Sequence, residues 1–545
     1  SSNLAVTGVG TIANVIHTKD ASGLGATMGA AVGIVTYYGD ASNLTGVGAT
    51  LYPWSYSPGI GTNTAATGVN IVTTWSSSIE GGSGTITIRS GSASGTVVDQ
   101  FVVGSSSSIT IAGNELTLNP AVTLDNGTEY FVTYPAGSIK ALGGVLQNEQ
   151  LIYSFNTLSL SLYGWGKNEN GQLGQNTMSP AAAGGLSSPT QIPGTTWSTL
   201  QNDFGGSGPS GRMAARKSDG TLWLWGQGGY GQFGINNRTT YSSPVQLPGT
   251  TWSTQFHVGN TLTAIKTDGT LWVAGNNYYG NLGLNSQNPD RRSSAVKVGT
   301  DTTWTTVSGM ESNYPVFATK TDGTLWTWGF SSQGSSGLNV VGGPSDYKSS
   351  PTQIPGTTWS VVKGGQESNM AGKTDGTLWA WGSNTYGNLG INIGPQGTWP
   401  SVTHYPRSSP CQIAGTTWNI SQDTMSTKGN MAAVIKTDGT LWVWGDNVYG
   451  HLGLNESGAP LANNKSSPVQ VGTDTTWSKV SLGKWSSYAT KTDGSLWAWG
   501  GNASQYLGSL GLNTFGTDLS SPTQVSGTWT AILDIQGSTF GIKQG

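Results

Sequence analysis

The sequence predicts an all-β protein of three parts: an extended N-terminal arm over residues 1–50, a β-sandwich over 51–157 and a seven-bladed β-propeller over 158–545. Three observations support this prediction. A motif with tryptophans and a glycine recurs after residue 160, and residues 51–157 alternate with the two-residue period of strands. The first 50 residues are rich in Gly, Ala, Thr and Val and carry almost no charge. The largest part is therefore a ring of repeats.

The repeated unit is a strand that usually ends in Trp-x-Trp-Gly, a glycine loop, Ser-Ser-Pro-x-Gln and then Gly-Thr-x-Trp. Successive strand-ending glycines are 49 to 63 residues apart. A blade of four short strands needs roughly 40 to 50 residues, so this is propeller spacing. The repeated positions are Gly166, Gly226, Gly275, Gly329, Gly382, Gly445 and Gly500, and Trp197, Trp252, Trp304, Trp359, Trp418, Trp477 and Trp529. Two independent counts of seven indicate seven blades.

Six units place an Asp-Gly pair between two β-rich runs, as in Lys-Thr-Asp-Gly-Thr-Leu-Trp. Such a pair predicts a two-residue hairpin turn, because both turn positions need positive φ. The seventh unit lacks its first half, since only residues 158–163 precede its Gly-Trp-Gly, and the missing half reappears in residues 540–545. We therefore expect strands from both ends of the chain to pair in one blade, which removes exposed sheet edges.

The runs KTDGTLWAWGSNTYGNLGIN (373–392) and KTDGTLWVWGDNVYGHLGLN (436–455) resemble repeats of the regulator of chromosome condensation family. The resemblance covers residues 158–545 and implies the seven-bladed propeller of that family. It implies no activity, because one fold hosts many functions. The unit that opens at Gly329 departs from the pattern, and the histidine that the family usually carries after the later glycine is absent. The resemblance to the eukaryotic nucleotide-exchange factor of this family therefore concerns the fold alone and implies no exchange activity.

Residues 51–157 contain alternating runs at 84–89, 108–112 and 130–134, separated by turn residues. This pattern predicts a β-sandwich. The order of the runs resembles the bacterial Ig-like domain known from S-layer proteins. The resemblance implies a spacer that holds a terminal domain away from a surface.

The N-terminal arm ends in GIVTYYGDASNLTGVGATL (33–51), a run that resembles segments of tail and fibre proteins of marine bacteriophages. An apolar, low-complexity segment that cannot bury itself alone is most simply an attachment segment, ordered by pairing with a virion or a second copy. A flexible leader is the alternative. We expect the arm to contact other virion proteins.

Composition excludes several function classes. Only 9% of residues are charged, against roughly 25% in ordinary soluble domains, so the surface is polar without being ionic. The net charge of −3 argues against a nucleic-acid partner, which demands clustered Lys and Arg. No run of 18 apolar residues is present, so we expect no membrane insertion. The single cysteine, Cys411, fits a small apolar strand position.

Chemistry-bearing motifs are scarce. The four histidines, His17, His257, His404 and His451, have no metal-ligand spacing, so we expect neither a metal nor a cofactor. No Ser-His-Asp order, nucleophile elbow or P-loop is present. Two carboxylates among the 27 acids could still converge in the fold as a glycosidase pair. We expect a protein that is not an enzyme and has no catalytic residues.

The stretch between Leu-Gly and Ser-Ser-Pro varies most between units. Because it occupies the same place in each repeat, all seven stretches should emerge on one face of the ring, which is the predicted binding surface. Aromatic and Arg residues are the usual hot spots, and Trp and Tyr stack on sugar rings. The candidate binding residues are Trp399, His404, Tyr405 and Arg407 in the longest stretch, and Arg238, Tyr241, Arg291, Arg292 and Tyr347 in its neighbours. The alternative is that Trp399 packs its own loop against the propeller.

Together these features predict a non-enzymatic structural protein of a marine phage virion, in which the propeller decorates the particle or binds a glycan or protein of the host surface. Its location would be the virion or another extracellular setting. The alternative is a bacterial secreted or surface-layer binding protein, since a secreted β-lactamase inhibitor shares this repeat. An enzyme that acts on cell-surface glycans is the third hypothesis.

If the arm is an anchor, deleting residues 1–50 should leave a soluble, folded remainder that no longer enters particles. The measurement is the amount of truncated protein in purified particles, with the full-length chain as the control. Normal incorporation would contradict the anchor hypothesis and would move the attachment site to the Ig-like domain.

Overall fold

The structure is a computed structural model that describes residues 15–20, 23–28 and most of 51–544. The segments outside the description are 1–14, 21–22, 29–50, 62–64, 66–67, 126, 145, 148, 158, 179–184, 195, 202–210, 288–290, 310–313, 343–345, 366–367, 395–404, 459–462, 503–508, 514–515, 536 and 545. Every regular element in the described part is a β-strand, as the fold prediction required. Internal contacts divide the chain into two compact units, one ending at Asn156 and the other comprising 125–128 and 157 onwards.

In the arm, two strands pair as an antiparallel hairpin: β1 (Val15–Asp20) and β2 (Gly23–Met28). This part of the predicted extended arm therefore pairs with itself.

The Ig-like unit contains ten strands in three sheets. They are β3 (Pro53–Ser57), β4 (Ile71–Trp75), β5 (Ile79–Gly81), β6 (Thr85–Ser90), β7 (Thr96–Val102), β8 (Ile109–Ala112), β9 (Glu115–Leu118), β10 (Glu129–Tyr134), β11 (Ile139–Ala141) and β12 (Leu151–Asn156). The two main sheets have the strand orders β12-β10-β6-β7 and β3-β4-β9-β8. Alternate residues such as Ile86, Ile88, Val132 and Phe155 are fully buried in one apolar core, as the two-residue period predicts.

The second unit begins with β13 (Leu160–Gly166) and β14 (Leu186–Ile192) and continues with five separate four-stranded antiparallel sheets. These are blades 1 to 5, each written from its first to its fourth strand. Blade 1 is β15 (Trp197–Leu200), β16 (Arg212–Lys217), β17 (Leu222–Gly226) and β18 (Tyr241–Leu247). Blade 2 is β19 (Trp252–Val258), β20 (Thr261–Lys266), β21 (Leu271–Gly275) and β22 (Arg292–Lys297). Blade 3 is β23 (Trp304–Ser308), β24 (Val316–Lys320), β25 (Leu325–Phe330) and β26 (Tyr347–Ile354).

Blade 4 is β27 (Trp359–Gly364), β28 (Ser368–Lys373), β29 (Leu378–Gly382) and β30 (Arg407–Ile413). Blade 5 is β31 (Met425–Lys428), β32 (Met431–Ile435), β33 (Leu441–Gly445) and β34 (Lys465–Gln470). Blade 6 is β35 (Trp477–Leu482), β36 (Ser486–Lys491), β37 (Ser495–Gly500) and the first half of β38 (Leu519–Ile535). The second half of β38 belongs to the seventh blade and pairs with β39 (Ser538–Gln544).

Strands from both ends of the chain build blade 7, as predicted. Strand β13 pairs with β39 along its whole length, from Leu160 opposite Gln544 to Gly166 opposite Ser538. Strand β14 completes the blade on the other edge of β13. The side chains of Leu162, Phe540 and Ile542 are fully buried in the core that this blade shares with blade 1. The ring is therefore closed by hydrogen bonds between the termini of the propeller.

The six Asp-Gly hairpins are present, but the predicted two-residue turn is wrong. The connection has three residues, such as Thr437-Asp438-Gly439, and the Gly439 N–H donates to the carbonyl of Lys436 at 3.0 Å. Among the six Asp-Gly pairs only the glycines have positive φ. The Asp438 carboxylate instead accepts both the backbone N–H and the hydroxyl of Thr440, at 3.0 and 2.6 Å. These local bonds lower the pKa of Asp438 and hold it in an ordinary φ region.

The lysine before each Asp-Gly pair is held between aromatic rings inside its own blade. In blades 1 to 6 the Nζ lies 3.7 to 5.1 Å from the centroids of two indole rings. In blade 7 Lys543 lies 5.9 Å from Trp529 and 5.8 Å from Tyr163. A cation over an indole face is stabilising, so the repeated Lys and Trp form one structural device rather than a ligand platform.

A second repeated device joins neighbouring blades. The last tryptophan of the Trp-x-Trp pair donates its Nε1–H to a loop carbonyl of the preceding blade, at 2.6 to 3.0 Å. The pairs are Trp225 with Gln172, Trp328 with Asn281, Trp381 with Ser335, Trp444 with Asn388, Trp499 with His451 and Trp165 with Ser509. These tryptophans therefore hold each blade against the one before it.

Deleting Thr539–Gly545 should abolish cooperative unfolding and cause aggregation, because it leaves β13 and the end of β38 as unpaired edges over an opened apolar core. Thermal unfolding followed by circular dichroism, with light scattering, measures this. A control chain that lacks only Gly545 should melt as the intact protein does. An unchanged melting temperature after the longer deletion would refute the closure of the ring.

Candidate functional site

Neighbouring strands of a blade are antiparallel, so the loops that connect them lie alternately at two opposite ends of the propeller. The Asp-Gly turns and the connections that lead to the next blade lie at one end. The opposite end carries the connections from first to second strand and from third to fourth strand, which we call the variable-loop face. Its largest segments are 167–185, 227–240, 276–291, 331–346, 383–406, 446–464 and 501–518. The predicted binding stretches therefore share one face, as the repeat required.

Seven of the nine predicted binding residues lie in the described part of this face, spread over blades 1 to 4. Arg238, Arg291 and Arg292 are exposed, and Tyr405 is 36% exposed. Tyr241, Tyr347 and Arg407 are half-buried first residues of β18, β26 and β30. Trp399 and His404 lie outside the described residues. The structure does not gather these side chains into one cluster, because they are distributed over four different repeats.

Two of the predicted residues make aromatic or cation–π contacts with residues of an adjacent blade that the sequence did not single out. The guanidinium of Arg291 lies 5.1 Å from the ring centroid of Tyr230, which stands on the loop of blade 1. The ring of Tyr347 lies 6.3 Å from that of Tyr279 on the loop of blade 2. In both cases the contact joins adjacent blades.

Tyr347 belongs to a larger group, which we call the aromatic cluster: Tyr278, Tyr279, Tyr314, Phe330 and Tyr347. Ring centroids are 4.7 Å apart for Tyr278 and Tyr279 and 4.8 Å apart for Tyr279 and Phe330. Tyr314 lies 6.1 Å from Phe330. Tyr278 is 47% exposed, and the other members are half-buried. Blades 2 and 3 therefore present a continuous aromatic surface at the variable-loop face.

Sequence reasoning missed this cluster, although two signals were present. The loop of blade 2 carries Tyr278 and Tyr279 together where the other repeats have at most one tyrosine. The blade 3 strand continues past its Trp-Gly into Phe330, and this unit departs from the repeat pattern. Tyr314 lies in the connection between the first two strands of blade 3, which is outside the variable stretches.

At the opposite end of the ring, the first strands surround a cavity of about 440 Å³. Amide, hydroxyl and charged side chains line it, among them Gln201, Gln255, Lys363, Asp423 and Lys479. Lys479 Nζ lies 3.0 Å from Asp423 Oδ2. Asp423 is the only carboxylate among the described lining residues, whereas hydrolysis by paired carboxylates needs two. The cavity is polar, but this lining does not form a glycosidase pair.

One carboxylate is fully buried inside the ring. Burial raises the pKa of Asp534, while the nearby Lys428 opposes the rise. Thr539 Oγ1 donates to Asp534 Oδ2 at 3.0 Å, and Lys428 Nζ donates to the Asp534 carbonyl at 2.6 Å. These bonds tie blade 5 to the split blade 7. Asp534 is therefore a structural group that holds the closing strands.

The described residues contain no group of three His, Cys, Asp or Glu side chains that could hold a metal ion. His257 and His451 are buried in different blades, and His404 lies outside the description. Cys411 is half-buried in β30 opposite Ala380, as expected of a strand residue. Across the described residues, no helix has the length and apolar character needed to span a membrane.

Parts of this architecture match known protein families. Models of the Regulator of chromosome condensation (RCC1) repeat match residues 161–198, 219–265 and 438–490. The Bacterial Ig-like domain model matches residues 54–157. The chain therefore contains an RCC1-repeat propeller preceded by a bacterial Ig-like domain, which confirms these two resemblances, whereas the resemblance of the arm to phage tail and fibre proteins stays a prediction.

Among individual proteins, the chain is similar to the Ultraviolet-B receptor UVR8 of Arabidopsis thaliana, with 26% identity over 340 residues. That stretch is 61% of this chain and only 60% of the plant protein. Among solved structures it is similar to Prp20p of Saccharomyces cerevisiae, with a TM-score of 0.59, 15% identity, and coverage of 71% of this chain and 92% of that one. Human WBSCR16 gives a TM-score of 0.56, 19% identity, and coverage of 71% and 99%. At such low identity these structures establish the fold alone.

Proposed function

We propose that this protein is a non-enzymatic binding protein whose propeller recognises a glycan or protein of a cell surface through its variable-loop face. The observation that carries the proposal is the aromatic cluster, which is exposed at Tyr278 and continuous across two blades. Exposed aromatic patches on a rigid frame are typical of interaction sites, and tyrosine rings suit both sugar faces and protein surfaces.

The charge distribution favours recognition by shape and stacking rather than by long-range attraction. Only 9% of residues are charged, and the lysines that precede the Asp-Gly turns are held over indole rings within the blades. Salt should weaken binding of this kind only slightly, because electrostatic attraction contributes little to it. A surface exposed to a saline medium is therefore a suitable target.

The setting we propose is a phage virion or another extracellular particle. The N-terminal arm, with its resemblance to phage tail and fibre proteins, would attach to other virion proteins. The Ig-like unit would act as a spacer, and the propeller would carry the binding face. The yeast relative supports protein partners in general terms, since one solved structure is described as Kap60 bound to yeast RCC1 (Prp20).

A bacterial secreted or surface-layer binding protein is the second candidate. The match of residues 54–157 to the Bacterial Ig-like domain favours it, because such a module serves equally well on a cell surface. The two candidates share the same binding face and differ in what anchors the N-terminal side.

Replacing Tyr278 and Tyr347 by Ala should weaken adsorption to the target cells at least tenfold, which is about 1.4 kcal/mol. The reason is that a few aromatic side chains carry most of the energy of such a surface. Binding of the labelled protein to cells, measured as an isotherm, gives the affinity, and thermal unfolding checks the fold. The triple replacement Trp399→Ala, Tyr405→Ala and Arg407→Ala tests the neighbouring stretch of blade 4 in the same assay.

The matched control is Trp54→Ala, which removes a 73%-exposed aromatic side chain from the Ig-like unit and should leave adsorption unchanged. Full adsorption by both propeller variants, with the fold intact, would contradict host binding and favour a decorative role.

A further inference from the structure

A comparison of strand register in the seven blades places positive charge at one repeated position of the variable-loop face. The position lies at the start of each fourth strand, opposite the glycine that ends the third strand. From blade 1 to blade 7 its occupants are Tyr241, Arg292, Lys348, Arg407, Lys465, Leu519 and Leu186. Blades 2 to 5 therefore carry one cation each in the same place, and we call these four residues the cationic arc.

Each member of the cationic arc lies where the loop of the preceding blade packs against the fourth strand. The approach is so close that a Cβ on Gly280 would lie 3.1 Å from the carbonyl oxygen of Lys348. The equivalent glycines of blades 1, 3 and 4 are Gly231, Gly334 and Gly387. Because Gly280 directly follows Tyr278 and Tyr279, this contact sets the exposed end of the aromatic cluster beside Lys348.

The charges of the arc are not compensated equally. In blade 5, Lys465 Nζ lies 2.5 Å from Glu456 Oε1. The exposed Lys348 and the half-buried Arg407, in contrast, form no ion pair with any carboxylate that the structure describes. In the variable loops of blades 1 to 4, the single described carboxylate is that of Asp346. This half of the face therefore presents positive charge to an outside partner.

The surface beside Lys348 is apolar as well as charged. Val340, Asp346 and Tyr347 line one cleft together with Lys348. Val340 is 37% exposed, and its neighbour Val341 is 62% exposed. Aliphatic side chains cannot hydrogen-bond to sugar hydroxyls, whereas aromatic and Arg side chains around an apolar centre are typical of protein interfaces. This composition favours a protein partner over a glycan.

We propose that the aromatic cluster and the cationic arc of blades 2 to 4 together bind an acidic segment of a cell-surface protein. An apolar side chain of the partner would pack against Tyr278 and Tyr347, and its carboxylates would pair with Lys348 and Arg407. Since the whole chain has a net charge of −3, these cations act on contact, through charge-assisted hydrogen bonds, rather than by attraction over a distance. The inference rests on the proposed function and adds the chemistry of the partner.

The test is adsorption of the labelled full chain to the target cells. Lys348→Glu should weaken adsorption at least tenfold without lowering the melting temperature, because the side chain is exposed. Lys348→Met, which removes the charge and keeps an unbranched side chain, should weaken adsorption by a smaller factor. The matched control is Lys297→Glu, the same change of charge at the Asp-Gly end of β22, and it should leave adsorption unchanged.

Treatment of the cells identifies the class of partner in the same assay. Proteinase K should abolish adsorption of the intact protein, whereas periodate, which oxidises the vicinal diols of sugars, should leave adsorption intact. Conversion of the cell-surface carboxylates to amides with a carbodiimide and ethanolamine should weaken adsorption at least tenfold.

Adsorption that survives proteinase K or is lost after periodate would overturn the inference, and so would equal adsorption by Lys348→Glu and the intact protein. If adsorption then still depends on Tyr278 and Tyr347, the proposed function stands and only the chemistry of the partner is rejected. Lack of adsorption by the intact protein, or full adsorption by the double variant Tyr278→Ala and Tyr347→Ala, would reject the proposed function and this inference with it.

Discussion

The pairing of β13 with β39 is the constraint on which the propeller depends. These strands come from opposite ends of the repeat region, and their ladder from Leu160 to Gly166 makes the seventh blade whole. Without it the core shared by blades 7 and 1 would be open, and two strand edges would be unpaired. With it, each blade has a neighbour on both sides, and the Trp165 Nε1 bond to Ser509 at 2.7 Å continues the links that join the other blades.

The closed ring explains how a propeller can be stable with only 9% charged residues. Lysines such as Lys436 and Lys491 lie over pairs of indole rings within the blades, so a substantial part of the chain's positive charge is structural. The loops of the variable-loop face are then free to differ without disturbing the repeat. They carry tyrosines, amides and isolated arginines, a composition suited to stacking and hydrogen bonding rather than to electrostatic attraction. The aromatic cluster is a local departure from the repeat, and it lies on this face.

Repetition made most of the fold predictable. The number of blades and the split blade follow from the repeat, because each is a property of the repeated unit. The Asp-Gly turn did not follow, since the bonds from Thr440 to Asp438 select a three-residue connection that the dipeptide does not encode. The aromatic cluster escaped prediction because its members come from different strands and blades. The contact between Tyr279 and Tyr347 requires the folded ring.

The most direct test of this account is amide hydrogen exchange of the closing strand. If β13 and β39 complete a closed ring, the amides of Leu162 and Ile542 should exchange as slowly as that of Ala433 in the middle of blade 5, because all three would open only with global unfolding. Exchange of Leu162 and Ile542 that is faster by several orders of magnitude, with Ala433 still protected, would show that the termini fray independently and would contradict the closed ring.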